Sequence, residues 1–149
     1  MNVVIDIDEF EIDNVFFQDS VKNTVMDDSN FIRTIYSTNL FTLNGIFLKI
    51  AINTLSVEKY FNKYKCSFDK VLNAAEVSKI VSIEECILNR INIKNKRATY
   101  KIYDQLECGN IKLFTDSTDR RINNQYILKI SGIWETEREY GVTYKFAHI

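Results

Sequence analysis

The chain has 149 residues, of which 46% are hydrophobic and 26% charged, and its net charge is -1. These values are typical of one globular domain with a buried core, and we predict a single domain over residues 1–149. The sequence contains no run of about 18–20 apolar residues, and its acidic start lacks the basic region of a signal peptide. We therefore expect a soluble intracellular protein without a membrane partner.

The supply of metal-binding and catalytic side chains is small. The three cysteines lie far apart, and the single histidine is His148. A structural zinc site needs about four such ligands, so we expect three reduced, mostly buried thiols, no metal and no cofactor. The motifs of the phosphate-binding loop, the serine hydrolases and the zinc proteases are absent from the sequence. Asp6 and Asp8 have no acidic partner motif elsewhere, and we predict that the protein is not an enzyme.

The charge is distributed unevenly along the chain. Residues 1–20 hold six of the 20 acids and none of the 19 bases, so residues 21–149 hold 14 acids against 19 bases, a net charge of +5. A mildly basic body favours a polyanionic partner.

The first third of the chain is predicted to be strands. Residues 4–13 alternate between apolar and acidic side chains, and residues 30–38 are rich in β-branched and aromatic ones. In LFTLNGIFLKIAI (40–52), apolar runs flank Asn44-Gly45, which predicts a tight hairpin with a type I′ turn. In its second arm, alternation places Ile46, Leu48, Ile50 and Ile52 on one face.

Residues 56–108 are predicted to be mainly helical, in three or four short helices. Ser56 and Ser82 are candidate N-caps, and Gly109 suits a left-handed C-cap. Strands then return at residues 110–114 and in a closing hairpin, 126–135 and 142–147, with a charged tip between them. Residues 115–124 are polar and predict an exposed loop.

This order of strands, a helical insertion and further strands is the plan of an OB-fold. We predict an α+β protein with an OB-like antiparallel β-barrel and a helical insertion between the third and fourth strands. An open antiparallel sheet with helices over one face has the same order and remains an alternative.

The C-terminal stretch LKISGIWETEREYGVTYKF (128–146) contains Gly132, Trp134 and a second strand opened by Tyr140-Gly141. It resembles the closing hairpin of OB-fold single-stranded-DNA-binding proteins of the T7-phage type and of their relatives in large nucleocytoplasmic DNA viruses. NVFFQDSVKN (14–23) and FIRTIYST (31–38) also resemble segments of such viral proteins. The resemblance implies binding of single-stranded DNA in viral DNA replication or recombination, in the host cytoplasm or nucleus.

Binding of single strands without sequence preference requires cations along the backbone path and rings on which bases stack. If the apolar side chains of the predicted strands point inward, one outer face presents Phe47, Lys49, Lys129 and Lys145. Arg33 joins this face if its strand pairs in the matching register. Trp134 and Tyr140 are the candidate stacking rings. A second basic concentration comprises Lys94, Lys96, Arg97 and Lys101.

A structural interpretation competes with each of these features. Lysines on strands protect sheets from edge aggregation, a lone Trp is usually a core residue, and a solvated helix junction explains residues 92–101. The rival hypothesis is a protein–protein interaction or virion structural module, in which the first strand or the closing hairpin pairs with another protein. The sequence leaves DNA and RNA open as partners, as well as the oligomeric state.

Overall fold

A computed structural model of the chain describes residues 3–23, 28–114 and 124–148. Within these ranges lie twelve strands and two α-helices. The strands are β1 (Ile5–Asp6), β2 (Val15–Phe17), β3 (Val21–Lys22), β4 (Asn30–Ser37), β5 (Thr42–Asn44), β6 (Ile46–Ala51), β7 (Thr54–Tyr60), β8 (Lys63–Phe68), β9 (Arg97–Thr99), β10 (Asn110–Phe114), β11 (Gln125–Glu135) and β12 (Glu139–His148). The helices are α1 (Ala74–Ile91) and α2 (Lys101–Glu107). Neither is long and apolar enough to cross a membrane.

The two longest strands, β11 and β12, form the antiparallel hairpin at the centre of the sheet. The other edge of β11 pairs with β6 over residues 125–130 and with β4 over residues 132–135. The other edge of β12 pairs with β9 over residues 139–141 and with β10 at residue 146, and β8 and β7 follow β10. The architecture is therefore α+β and rich in strands.

The predicted OB-like barrel is not formed by the strand pairings of the described residues. The path runs β1-β6-β11-β12-β10-β8-β7, and β1 and β7 lie at its opposite ends without pairing. A barrel requires its first and last strands to be hydrogen-bonded to each other. The sheet is open between these two edge strands.

One face of the sheet is covered by α1, α2 and the N-terminal segment. The residues of β6 and just after it that were predicted to share a face are all at most 1% exposed: Ile46, Leu48, Ile50 and Ile52. Leu128 and Phe146 of the central hairpin lie on the same side, as do Ile80 and Ile87 of α1 in the same core cluster. Burying side chains of this size stabilises the fold by about 1.5–3 kcal/mol each.

The first predicted strand is largely replaced by two 3-10 turns, Ile7–Glu9 and Ile12–Asn14. The Asp6 carboxylate accepts the N–H of Asp8 at 3.1 Å and caps the first turn. Short acidic side chains bond to nearby backbone in this way and compete with strand pairing. The predicted alternation of burial nevertheless holds, since Ile5 and Ile7 are buried and Asp6 and Asp8 exposed.

The Asn44-Gly45 pair does not form the predicted hairpin turn. Gly45 has a φ of +107° and lies at a bend where the chain leaves β5, which pairs with β4, and enters β6, which pairs with β11. The reversal occurs earlier, where the Thr38 hydroxyl accepts the N–H groups of Leu40 and Phe41. A Cβ on Gly45 would lie 3.1 Å from the Ile130 carbonyl oxygen, so close strand contact selects this glycine.

The helical prediction for residues 56–108 is wrong at its start. Residues from Ser56 belong to the β7–β8 hairpin, which reverses at Phe61 with a φ of +51°. Among the described residues, eight strands, rather than three, precede the first helix. Ser82 lies inside the continuous helix α1 and does not cap a new one. Pairing of β8 with β10, more than 40 residues later, favours the extended form over local helix signals.

The C-terminal predictions are confirmed. Residues 110–114 are β10, the closing hairpin is β11 and β12, and Gly109 takes the left-handed φ of +76° after α2. Of the loop predicted at 115–124, residues 115–123 lie outside the described residues.

Candidate nucleic-acid interface

Four predicted residues share the sheet face opposite to the helices. Lys129 of β11 is opposite Phe47 of β6 on one side and Lys145 of β12 on the other. Ile127, two residues earlier on β11, is opposite Lys49. Residues that are opposite each other, or two apart on one strand, point to the same side of a sheet. These four side chains therefore lie on one side of the sheet, as predicted.

Arg33 lies on the same side of the sheet as these four residues, as its pairing with a glycine of the central strand β11 shows. Gly132 is opposite both Arg33 of β4 and Thr143 of β12, which shares the side of Lys145. A Cβ at Gly132 would lie 2.7 Å from the ring of Phe31, so only glycine lets the strands approach here. The Arg33 guanidinium donates to the Asn44 side-chain oxygen at 3.1 Å and lies 5.6 Å from the centre of the Phe31 ring.

Two further lysines extend this surface beyond the predicted set. Leu113 of β10 is opposite Phe146 on the core side, which places Lys112 on the side of Lys145. Lys65 of β8 is opposite Lys112. Four lysines therefore cross four neighbouring strands, and strand spacing gives this row a length of about 15 Å. We call the surface formed by Arg33, Lys49, Lys65, Lys112, Lys129 and Lys145 the basic face.

Sequence reasoning missed Lys65 and Lys112 because their register was unknown. Alternation in NIKLF and KYKCSF does place each lysine opposite to apolar neighbours. Alternation does not show which strands are neighbours in the sheet.

The carboxylates on the side of the sheet that carries the basic face lie toward the margins of that face. Asp6 on edge strand β1 is opposite Lys49, and Glu58 on edge strand β7 is opposite Lys65. Glu139 is bound by Arg97. The interior of the row thus has a positive potential, which attracts extended anions.

The two predicted stacking rings, Trp134 and Tyr140, and the predicted face residue Phe47 are buried. Trp134, Phe47 and Tyr140 are 6%, 8% and 5% exposed. The ammonium groups of Lys101 and Lys129 lie 4.7 Å and 5.5 Å from the ring centres of Trp134 and Phe47. These contacts hold the two cations in place over the sheet.

Tyr140 is on the wrong side for the predicted role. It is opposite Glu135 and belongs to the core cluster beneath the helices. Neither it nor Trp134 therefore offers an open ring to a base.

The second predicted basic group is divided among separate contacts. Lys96 donates to the Glu135 carboxylate at 2.9 Å, Arg97 pairs with Glu139, Lys101 covers Trp134, and Lys94 is exposed. Acidic partners neutralise two of the four cations, and the binding of nucleic acid by residues 94–101 stays a prediction.

Glu135 is held in an ionised state within this group. Burial would raise the pKa of its carboxyl, but hydrogen bonds from Lys96 and from Ser20, at 2.8 Å, bring the pKa below its usual value. This pair joins the loop before β9 to the end of β11.

A buried carboxylate positions α2, and with it Lys101. Glu84 of α1 is fully buried and accepts the N–H groups of Ile102 at 2.8 Å and Tyr103 at 3.0 Å. Burial raises the pKa of Glu84, although these two hydrogen bonds act in the opposite direction. The first turn of α2 thereby obtains the acceptor for its orphan donors. Sequence reasoning did not single out this residue.

The described residues contain no group of three or more His, Cys, Asp or Glu side chains that could hold a metal ion. Asp8 pairs with Lys79 at 2.9 Å. The thiols of Cys66, Cys86 and Cys108 are free, and only Cys66 is buried, so the expected mostly buried set is not found.

Comparisons with known proteins return no match from family models, from curated proteins or from solved structures.

Proposed function

We propose that this protein binds single-stranded nucleic acid, DNA in the first instance, through the basic face and has no catalytic activity of its own. The observation that carries this proposal is the row of Lys129, Lys145, Lys112 and Lys65 across four adjacent strands. A single phosphate contacts one or two cations, whereas a row of about 15 Å matches the repeated charge of a polyanion backbone.

The burial of Trp134 and Phe47 assigns the main role to charge. Binding that depends on backbone phosphates is independent of sequence and sensitive to salt. An open sheet presents such a face as well as a closed barrel does, so the proposal does not require the OB-like architecture. The resemblance of residues 128–146 to viral single-stranded-DNA-binding proteins supports a setting in viral DNA replication or recombination.

The test is a fluorescence anisotropy titration with labelled DNA and RNA strands of about 30 nucleotides at several salt concentrations. For single strands, the slope of log K against log salt is about -0.7 per neutralised phosphate. Replacing Lys49, Lys129 and Lys145 by alanine should therefore reduce the slope by about 2. A wild-type protein that shows no salt-dependent binding at micromolar concentration would refute the proposal.

A matched triple variant controls for net charge. Lys70, Lys79 and Arg90 lie away from the basic face and pair with carboxylates at 2.9–3.9 Å. Their replacement by alanine changes the net charge equally and should leave the salt slope within about 0.5 of the wild-type value, since these cations do not face the strand. An equal loss in both variants would show that net charge, and not the basic face, drives binding.

A protein-interaction module is the second candidate, and edge strand β7 favours it. Its outer edge has no partner strand among the described residues, and Leu55, Val57 and Phe61 at this edge are 66%, 41% and 91% exposed. Exposed apolar edge strands pair readily with another chain. A Val57→Lys variant that abolishes capture of a replication or virion protein, while strand binding persists, would support this function.

A further inference from the structure

Apolar side chains continue the basic face beyond Arg33, along strand β4. Every second residue from Ile32 to Tyr36 is buried and points to the core. Arg33 lies on the opposite side of the sheet, and Phe31 and Ile35, two residues before and after it, share that side. Both are half-buried, and the core cluster of the described residues includes Ile32 and Tyr36 but not these two. The outer side of β4 thus carries apolar side chains on both sides of a cation.

Two neighbouring strands add exposed apolar side chains on the same side. Phe16 of β2 is opposite Ile35, and Val21 of β3 is opposite Phe31. Residues that are opposite each other point to the same side of a sheet. Phe16 is 52% exposed and Val21 is 57% exposed. Contiguous apolar side chains that stay exposed in a folded protein mark sites of interaction, and we call these four residues the ring surface.

Arg33 joins the ring surface to the basic face. Its guanidinium lies 5.6 Å from the centre of the Phe31 ring and donates to the Asn44 side-chain oxygen at 3.1 Å. Guanidinium planes and aromatic rings are the two kinds of group on which single-stranded bases stack. A ligand that follows the lysines of the basic face therefore meets a cation beside a ring where it leaves them.

The extent of the ring surface suits more than one base. Phe16 is opposite Ile35, which is four residues from Phe31, so the two rings lie about 13 Å apart along the strand direction. A ligand that covers both surfaces must combine repeated negative charge with flat apolar groups. Single-stranded nucleic acid has both, since phosphates alternate with bases along the chain.

Acidic side chains limit the path of the phosphates at the far end of this surface. Glu9 and Glu11 line a recess that begins at Phe16 and extends to Ser37, away from Arg33. Carboxylates repel phosphate, so the backbone of a bound strand stays on the Arg33 side of Phe16. The uncharged bases are the part of the strand that reaches this ring.

We propose that the ring surface stacks bases of the bound strand, with Phe16 and Phe31 as the stacking rings and Arg33 beside them. This assignment rests on the proposed function of the basic face. It supplies the base contact that the buried rings of Trp134 and Phe47 do not provide. Because every base has a π-face, the contact tolerates any sequence.

The first test removes one ring and keeps an apolar side chain. Phe16→Leu should lower the affinity for a thymidine strand of about 30 nucleotides at least about fivefold, the loss of one stacked base. The salt slope should stay within about 0.5 of the wild-type value, because no cation is removed. Tyr103→Leu is the matched control, since Tyr103 is 43% exposed and lines a separate recess with Glu85 of α1, and it should retain wild-type affinity.

The second test keeps a ring and reports contact directly. Phe16→Trp should bind the thymidine strand at least as tightly as the wild type, and the strand should quench its added tryptophan emission. The wild type has only Trp134, which is 6% exposed, so its quenching should be smaller. Phe31→Leu should lower affinity by a similar factor to Phe16→Leu. If Phe31→Leu fails to fold, the exposed Phe16 decides.

The outcomes separate the two proposals. Wild-type affinity in Phe16→Leu, with no added quenching in Phe16→Trp, overturns the ring surface and leaves strand binding by the basic face intact. Strand binding that depends on Phe16 but not on salt overturns the basic face and leaves the ring surface as the binding site.

Discussion

Truncation of Glu84 tests how a buried carboxylate positions the start of α2, and with it Lys101 over the Trp134 ring. Its fully buried carboxylate accepts the N–H groups of Ile102 and Tyr103. Glu84→Ala leaves two donors at the start of α2 without an acceptor, at about 1–3 kcal/mol each. Removal of a buried charge offsets part of that cost, and we expect a net loss of about 2–4 kcal/mol in the free energy of unfolding.

Chemical and thermal unfolding followed by circular dichroism measure this loss. For a chain of this size, each kcal/mol lowers Tm by about 2–4 °C, so Glu84→Ala should lower it by roughly 5–15 °C. Glu85→Ala is the matched control, since the Glu85 side chain is exposed, and it should change stability by less than about 0.5 kcal/mol.

The difference in unfolding free energy between the wild type and Glu84→Ala should depend on pH in one direction. The folded state raises the pKa of Glu84 above its ordinary value of 4.5. The advantage of the wild type over Glu84→Ala is therefore complete below that ordinary value and declines as the pH rises through the folded-state pKa. A stability difference between the wild type and Glu84→Ala that grows with rising pH would refute the assigned role of the Glu84 carboxylate. Equal stability of Glu84→Ala and the wild type would refute it as well.

Two further perturbations test the packing around the central hairpin. Gly141→Ala places a Cβ 2.7 Å from the Trp134 ring, and it should cost about 1–3 kcal/mol in unfolding free energy and shift the emission of this single tryptophan; unchanged emission and stability would contradict the close approach. Lys96→Met should cost about 1–3 kcal/mol at pH 7 by leaving Glu135 buried without its cation. Because the pKa of Glu135 is lowered, that cost should disappear as the pH falls through its folded-state pKa, and a pH-independent cost in urea titrations would exclude the ion pair.

Local pattern was sufficient for the strands of the central sheet. Alternation correctly placed Leu128, Ile130 and Phe146 in the core and Lys129 and Lys145 opposite, since side chains of a strand alternate whatever its partner. The left-handed Gly109 after α2 was also predictable, because a helix end is a local event.

Local pattern misled where strand pairing overrides propensity. The segment from Ser56 carries helix-start signals, yet it forms a hairpin that is completed by β10. Asn44-Gly45 carries the signal of a turn, but β5 before Gly45 pairs with β4 and β6 after it pairs with β11. These partners are distant along the chain, and no local window contains them.

The composition and alternation of this chain are enough to predict an α+β fold and the outward direction of its strand lysines, because both depend on neighbours a few residues apart. Which strands lie side by side depends on long-range hydrogen bonds, and that arrangement aligns Lys65 and Lys112 with Lys129 and Lys145. The same arrangement buries Trp134 and Tyr140 and leaves the sheet open, since the partner of each edge is chosen by packing over the whole fold.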